Sequence, residues 1–75
     1  MKFKVGDELL DNFVLDTTGI ITRIDQNDVI VTWRVGDRQS IDFKYSVHKF
    51  SFFLSKGGLF RMKAKPNQIW KELNQ

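Results

Sequence analysis

The sequence contains no cysteine and only one histidine, His48, in 75 residues. Without cysteine there are no disulfide staples and no thiolate metal sites, the two devices that often hold together domains this short. Long apolar runs are missing too: stretches such as Phe52 to Leu54 fall far short of the roughly 18 residues that span a bilayer. The opening MKFKVGDELLD has no apolar core of signal-peptide length. A cytoplasmic protein without a membrane partner is expected. Internal repeats, low-complexity tracts and linkers are also absent.

What remains is ordinary globular material, with 41% apolar and 28% charged residues, well away from the composition that leaves chains disordered. A chain of 75 residues has room for one hydrophobic core, so residues 1–75 are expected to form a single domain. Its stability must come from packing. Seven Phe and two Trp are the main supply, because each aromatic buries more area than an aliphatic side chain.

Strand signals dominate the first 45 residues, where turn residues punctuate runs rich in Val, Ile, Thr and aromatics. Glu8 to Leu15 reads as a first strand, closed by Asp16-Thr17-Thr18-Gly19. Ile20 to Asp25 reads as a second, and Gln26-Asn27-Asp28 supplies the tight polar connection of a hairpin. In Val29 to Val35 the alternation is strict: Val29, Val31, Trp33 and Val35 share one face, which must be core, and Ile30, Thr32 and Arg34 share the other. After the Gly36-Asp37 turn, Gln39 to Tyr45 alternates again, with Ile41, Phe43 and Tyr45 on one side and Ser40, Asp42 and Lys44 on the other.

At Ser46 the period changes. Ser46 suits a helix N-cap, and Val47, Phe50, Phe53 and Leu54 make a helical stripe that Gly57-Gly58 would end. A continuing strand through Phe50 and Phe52 is the rival. Leu59 to Lys63 reads as a last short strand, with Leu59 and Arg61 on one face and Phe60 and Met62 on the other. Pro66 then suits the start of a C-terminal helix over about 66–74, whose edge Ile69, Trp70 and Leu73 would dock on the domain.

Charge is distributed unevenly. Residues 1–37 carry four Lys/Arg against seven Asp/Glu, whereas residues 38–75 carry eight against two. Such asymmetry points to an anionic partner, and phosphate binding asks only for cations on one surface. Arg34, Lys44, Arg61, Lys63 and Lys65 are the candidate nucleic-acid-binding residues: if the third, fourth and fifth strands adjoin, they converge on a groove. A mixed, solvated face that keeps the domain soluble is the alternative.

Catalytic patterns are not found. His48 stands beside Lys49 with no orienting acid and nucleophile in a recognisable spacing. Asp25 and Asp28 flank a turn, but DQND does not continue into a calcium loop. No Walker or G-x-G-x-x-G pattern surrounds Gly57-Gly58. No catalytic residue, metal ligand, cofactor or small-molecule substrate is expected.

A KVGD entry, a glycine leading GIITRID, a polar turn, VIVTW and then a GD turn resemble the opening of small SH3-like barrels of the KOW and Tudor type. The likeness covers about residues 3–63, and its motifs describe turns and core rather than a site. It implies a mainly β, five-stranded barrel with a short helix before the last strand. Chains of this style also resemble phage and prophage accessory proteins. The resemblance implies binding without choosing the ligand. Combined with the basic second half, it leads to the expectation of a non-enzymatic module that contacts nucleic acid or a nucleic-acid-bound complex. The competing expectation is a small inhibitor or adaptor docking on a host protein. An exposed aromatic patch with scattered charges would favour this second reading. Trp33 and Trp70 are offered as core residues before binding residues.

Overall fold

A computed structural model describes residues 3–64. Its elements run β1 (Glu8–Asp11), β2 (Thr17–Ile24), β3 (Asp28–Val35), β4 (Ile41–Ser46), α1 (Val47–Phe53) and β5 (Phe60–Met62). The five strands form one antiparallel sheet in the order β4-β3-β2-β1-β5. The expected C-terminal helix, with Lys65 and Trp70, lies outside the described residues. Among the described residues no helix is long and apolar enough to cross a membrane.

Alternation assigns the core face of β3 correctly for Val29, Val31 and Trp33, which are buried, but not for Val35, which ends the strand 41% exposed at the rim of the sheet. Leu9, Ile21, Phe50 and Phe60 complete the core with Phe3. The period change at Ser46 is also realised. Its hydroxyl accepts the Lys49 backbone N–H at 3.1 Å as an N-cap, which satisfies one of the orphan donors of the first turn. The stripe then packs as a helical face, with Phe50 fully buried and Val47, Phe53 and Leu54 against the core. α1 ends at a Leu54 C-cap instead of at Gly57-Gly58. Those glycines shape the turn that follows, where a side chain on Gly58 would collide with the Phe53 carbonyl.

Two boundaries differ from the sequence reading for identifiable reasons. β1 stops at Asp11, because the Asp11 carboxylate accepts the backbone N–H groups of Phe13 and Val14 at 2.8 and 2.9 Å. This local bond offers the chain a turn in place of the ladder. Gly19, expected in a turn, instead sits inside β2 opposite Trp33. A Cβ there would stand 2.8 Å from Trp33 Cε3 and 2.9 Å from Val31 Cγ1. The missing side chain is the space into which the indole packs. A register shift between Ile21 and Arg23 interrupts the β2–β3 ladder further along, as bulges do.

Trp33 also meets Phe60 of β5 with ring centroids 4.8 Å apart, so one side chain of β3 touches both β2 and the last strand of the sheet. Replacing Trp33 by Ala is expected to cost about 3–5 kcal/mol, a large share of the roughly 5–15 kcal/mol that hold a typical domain folded. Gly19→Val should lower stability by forcing the indole out. Urea unfolding of both variants is the check, and a Trp33→Ala protein that unfolds like the parent contradicts this packing.

Candidate functional site

The inner face of the sheet is sealed at the α1 end and open at the other. Ile41, Phe43 and Tyr45 share the core-facing side of β4, each opposite a buried residue of β3: Trp33, Val31 and Val29 respectively. Only Tyr45 is half-buried, among Phe50, Phe53 and Phe60 at centroid distances of 5.8, 6.0 and 5.6 Å. Ile41 remains 60% exposed and Phe43 50%. β4 is an edge strand, and among the described residues nothing lies over its first half.

Between β4 and the 12–16 loop runs a cleft of about 340 Å³. Its floor is Trp33, Tyr45 and Phe60; Ile41 and Phe43 form one wall, Asp11, Val14 and Thr17 the other, and Val35, Arg38 and Gln39 close the end. The volume lies in the range of ordinary ligand pockets, and such sites are mostly apolar with a few polar groups. Here Asp11 and the Tyr45 hydroxyl are among the polar groups, set in an aromatic lining.

The loop beside the cleft is fastened at several points. Asn12 accepts from Arg61 Nη1 at 2.7 Å, donates to the Gly58 carbonyl at 2.7 Å, and its backbone N–H reaches the Leu59 carbonyl at 2.9 Å. At the other end Gly36 N–H donates to the Asp16 carbonyl at 2.8 Å, and Asp16 takes a left-handed φ of 61°. This bracing presents apolar side chains to solvent, with Phe13 71% and Leu15 92% exposed. A loop fastened in this way has less conformational entropy left to lose in any further contact. The sequence reading missed this feature by extending the first strand through Leu15. The signal was Asp11-Asn12, two turn-forming side chains ahead of the apolar run.

The basic candidates do not fall on three adjoining strands. β5 pairs with β1 and lies at the opposite edge from β4, so the third, fourth and fifth strands do not adjoin. Arg34 and Arg61 end one cross-strand row through Thr18 and Leu10, three inter-strand steps or about 14 Å along the sheet. Acids and amides accompany the rest: Lys44 stands 3.8 Å from Asp28, Lys63 3.2 Å from Glu8, and Arg61 holds Asn12. Lys65 lies outside the described residues.

Asp25 is a turn former. Its carboxylate accepts the N–H groups of Asp28 and Asn27 at 2.9 and 3.2 Å, and these bonds, with nearby Arg23, hold its pKa below the usual carboxylate value. His48 is exposed on α1, bordering a shallow polar depression with Asp28 and Ser51. Among the described residues no hydrogen bond joins it to either, and no group of three or more His, Cys, Asp or Glu gathers as metal ligands would.

Searched against family models, curated proteins and solved structures, the chain finds no match.

In the cleft floor the Trp33 indole N–H donates to the Tyr45 hydroxyl at 2.9 Å. Burial pushes the Tyr45 pKa up, the indole bond pulls it partly back, and the Asp11 charge adds to the rise. A raised folded pKa means the neutral phenol is the form that the fold favours. That stability is fully present below the unfolded value of about 10 and is lost as pH climbs from there through the folded value. Tyr45→Phe should remove this alkaline loss and, by stranding the indole N–H, cost about 1–3 kcal/mol at neutral pH. Thermal melts of parent and variant between neutral pH and pH about 11 test both parts. A parent whose alkaline loss survives the substitution contradicts the assignment.

Proposed function

We propose that this domain is a non-enzymatic protein-docking module that receives an extended apolar segment of its partner in the cleft between the 12–16 loop and β4. The observation that carries this reading is the exposed apolar rim. Val14, Val35, Ile41 and Phe43 line the cleft and are themselves exposed to solvent, and Phe13 and Leu15, the chain neighbours of Val14, are exposed as well. Contiguous apolar surface rimmed by polar groups marks interaction sites more often than scattered exposed residues do. The adjacent Asp11 and Arg38 supply the kind of polar rim that fixes orientation.

The strand order, with β5 beside β1 and a helix between β4 and β5, supports an SH3-like barrel left open along β4. In this reading the cleft is the unclosed seam. Nucleic-acid binding is the weaker proposal, because three of its candidate cations already have partners within the chain. Arg61 then serves docking indirectly, by bracing the loop through Asn12.

Selection of peptides from a random library against the immobilised protein, followed by calorimetry, tests the proposal. The expected result is apolar peptides that bind with a negative heat-capacity change and lose about tenfold or more in affinity, worth roughly 1.4 kcal/mol, on Phe43→Ser. Because Phe43 is half exposed, this variant should keep its fold. The contrary result is an absence of such peptides together with DNA or RNA binding. Contact with three or four phosphates would give a log–log salt slope of about −2 to −4, flattened when Lys44, Arg61 and Lys63 are changed to Gln.

A further inference from the structure

The free edge of β4 has a particular hydrogen-bonding parity. Val47 N–H donates back to the Asn27 carbonyl of the neighbouring hairpin at 2.9 Å, and the β3–β4 register continues that pairing through Tyr45↔Val29, Phe43↔Val31 and Ile41↔Trp33. In an antiparallel ladder the N–H and C=O of a residue point to the same side, and successive residues alternate. The odd-numbered residues of β4 therefore face β3, and the backbone groups of Asp42, Lys44 and their even-numbered neighbours face outward. Among the described residues no strand meets them. An unpaired edge of this kind is a template for another strand.

The side chains along this edge complement themselves. If a second β4 approaches antiparallel with Phe43 opposite Phe43, Asp42 of each copy falls opposite Lys44 of the other. Ile41 falls opposite Tyr45 on the apolar face. Asp42 and Lys44 then form two hydrogen-bonded pairs, each exchanging two backbone bonds, and the Phe43 pair is the non-hydrogen-bonded kind that brings side chains closest. Sliding the register by two residues either way sets Asp42 against Asp42 or Lys44 against Lys44. Sliding by one places outward-facing backbone groups against inward-facing ones and swaps the faces. Charge and parity together select one register.

We infer that the β4 edge pairs with a second copy of this chain about a two-fold axis through Phe43, giving an isologous dimer with a continuous ten-strand sheet. The inference rests on the reading of this face as a protein-docking surface and names one occupant of it. It accounts for the exposure of Ile41 and Phe43, whose side chains the second copy meets on the same face. Among the described residues Lys44 stands 3.8 Å from Asp28 and Asp42 accepts from the Thr32 hydroxyl at 2.6 Å, and a carboxylate and an ammonium both have capacity for a further partner.

Sedimentation equilibrium of the full chain, from micromolar to millimolar concentration, reads the association. Asp42→Lys and Lys44→Asp each place like charges opposite one another twice per dimer and should weaken it by about tenfold. The double exchange Asp42→Lys/Lys44→Asp restores opposite charges and should recover most of the loss. Since each single variant also loses a contact within the chain, thermal melts identify any loss of folding, and recovery in the double variant is the outcome that chain instability does not produce. A chain monomeric throughout, or a double variant as weak as the single ones, overturns self-pairing. Apolar peptides that still bind the monomer, and lose affinity on Phe43→Ser, would leave the docking reading standing while this one falls.

Discussion

The structure depends on one indole. Trp33 lies over the bare backbone of Gly19, donates its N–H to Tyr45 and packs against Phe60, so a single residue of β3 fixes its distance to β2, β4 and β5. A side chain at position 19 would hold the two strands' facing side chains apart, and without Tyr45 the indole N–H would lose its partner. Because Trp33 is the floor of the cleft as well as a core residue, stability and the candidate site draw on the same contacts. The cleft therefore inherits the rigidity of the core on one side. On the other, the 12–16 loop gains its order from hydrogen bonds to Gly36, Gly58, Leu59 and Arg61.

Much of this arrangement was legible in the sequence where local chemistry and tertiary packing agree. The alternation of Val29, Val31 and Trp33, the change of period at Ser46 and the turn role of Asp25 each have a local cause, and the structure keeps them. The end of β1 is different. Phe13, Val14 and Leu15 have strand propensity, but the Asp11 side chain captures two of their backbone donors. Composition alone does not say which competitor wins.

The open half of β4 was not legible for another reason. Ile41, Phe43 and Tyr45 do lie on the core-facing side as alternation requires, yet facing the core and being covered are separate properties. Coverage depends on strand order, and a short period-2 pattern carries no information about which strand is at the edge. The same ignorance of order left open whether the strands that carry the basic residues adjoin. Once β5 pairs with β1, Arg61 and Lys63 move to the edge opposite Lys44, and near neighbours such as Glu8 and Asp28 offset part of their charge. Exposed pairs of this sort contribute little to stability, but they do reduce the positive field that phosphate binding needs.

The proposed docking module meets its partner on the apolar rim of the cleft rather than on the cations of β5. Site-specific photocrosslinking separates the two most directly, with a benzophenone amino acid placed at Phe43 in one protein and at Lys63 in another, irradiated in the producing cell and analysed by mass spectrometry. The account predicts peptide adducts at position 43 that are missing at position 63. Nucleotide adducts at position 63, with none of either kind at position 43, would contradict it.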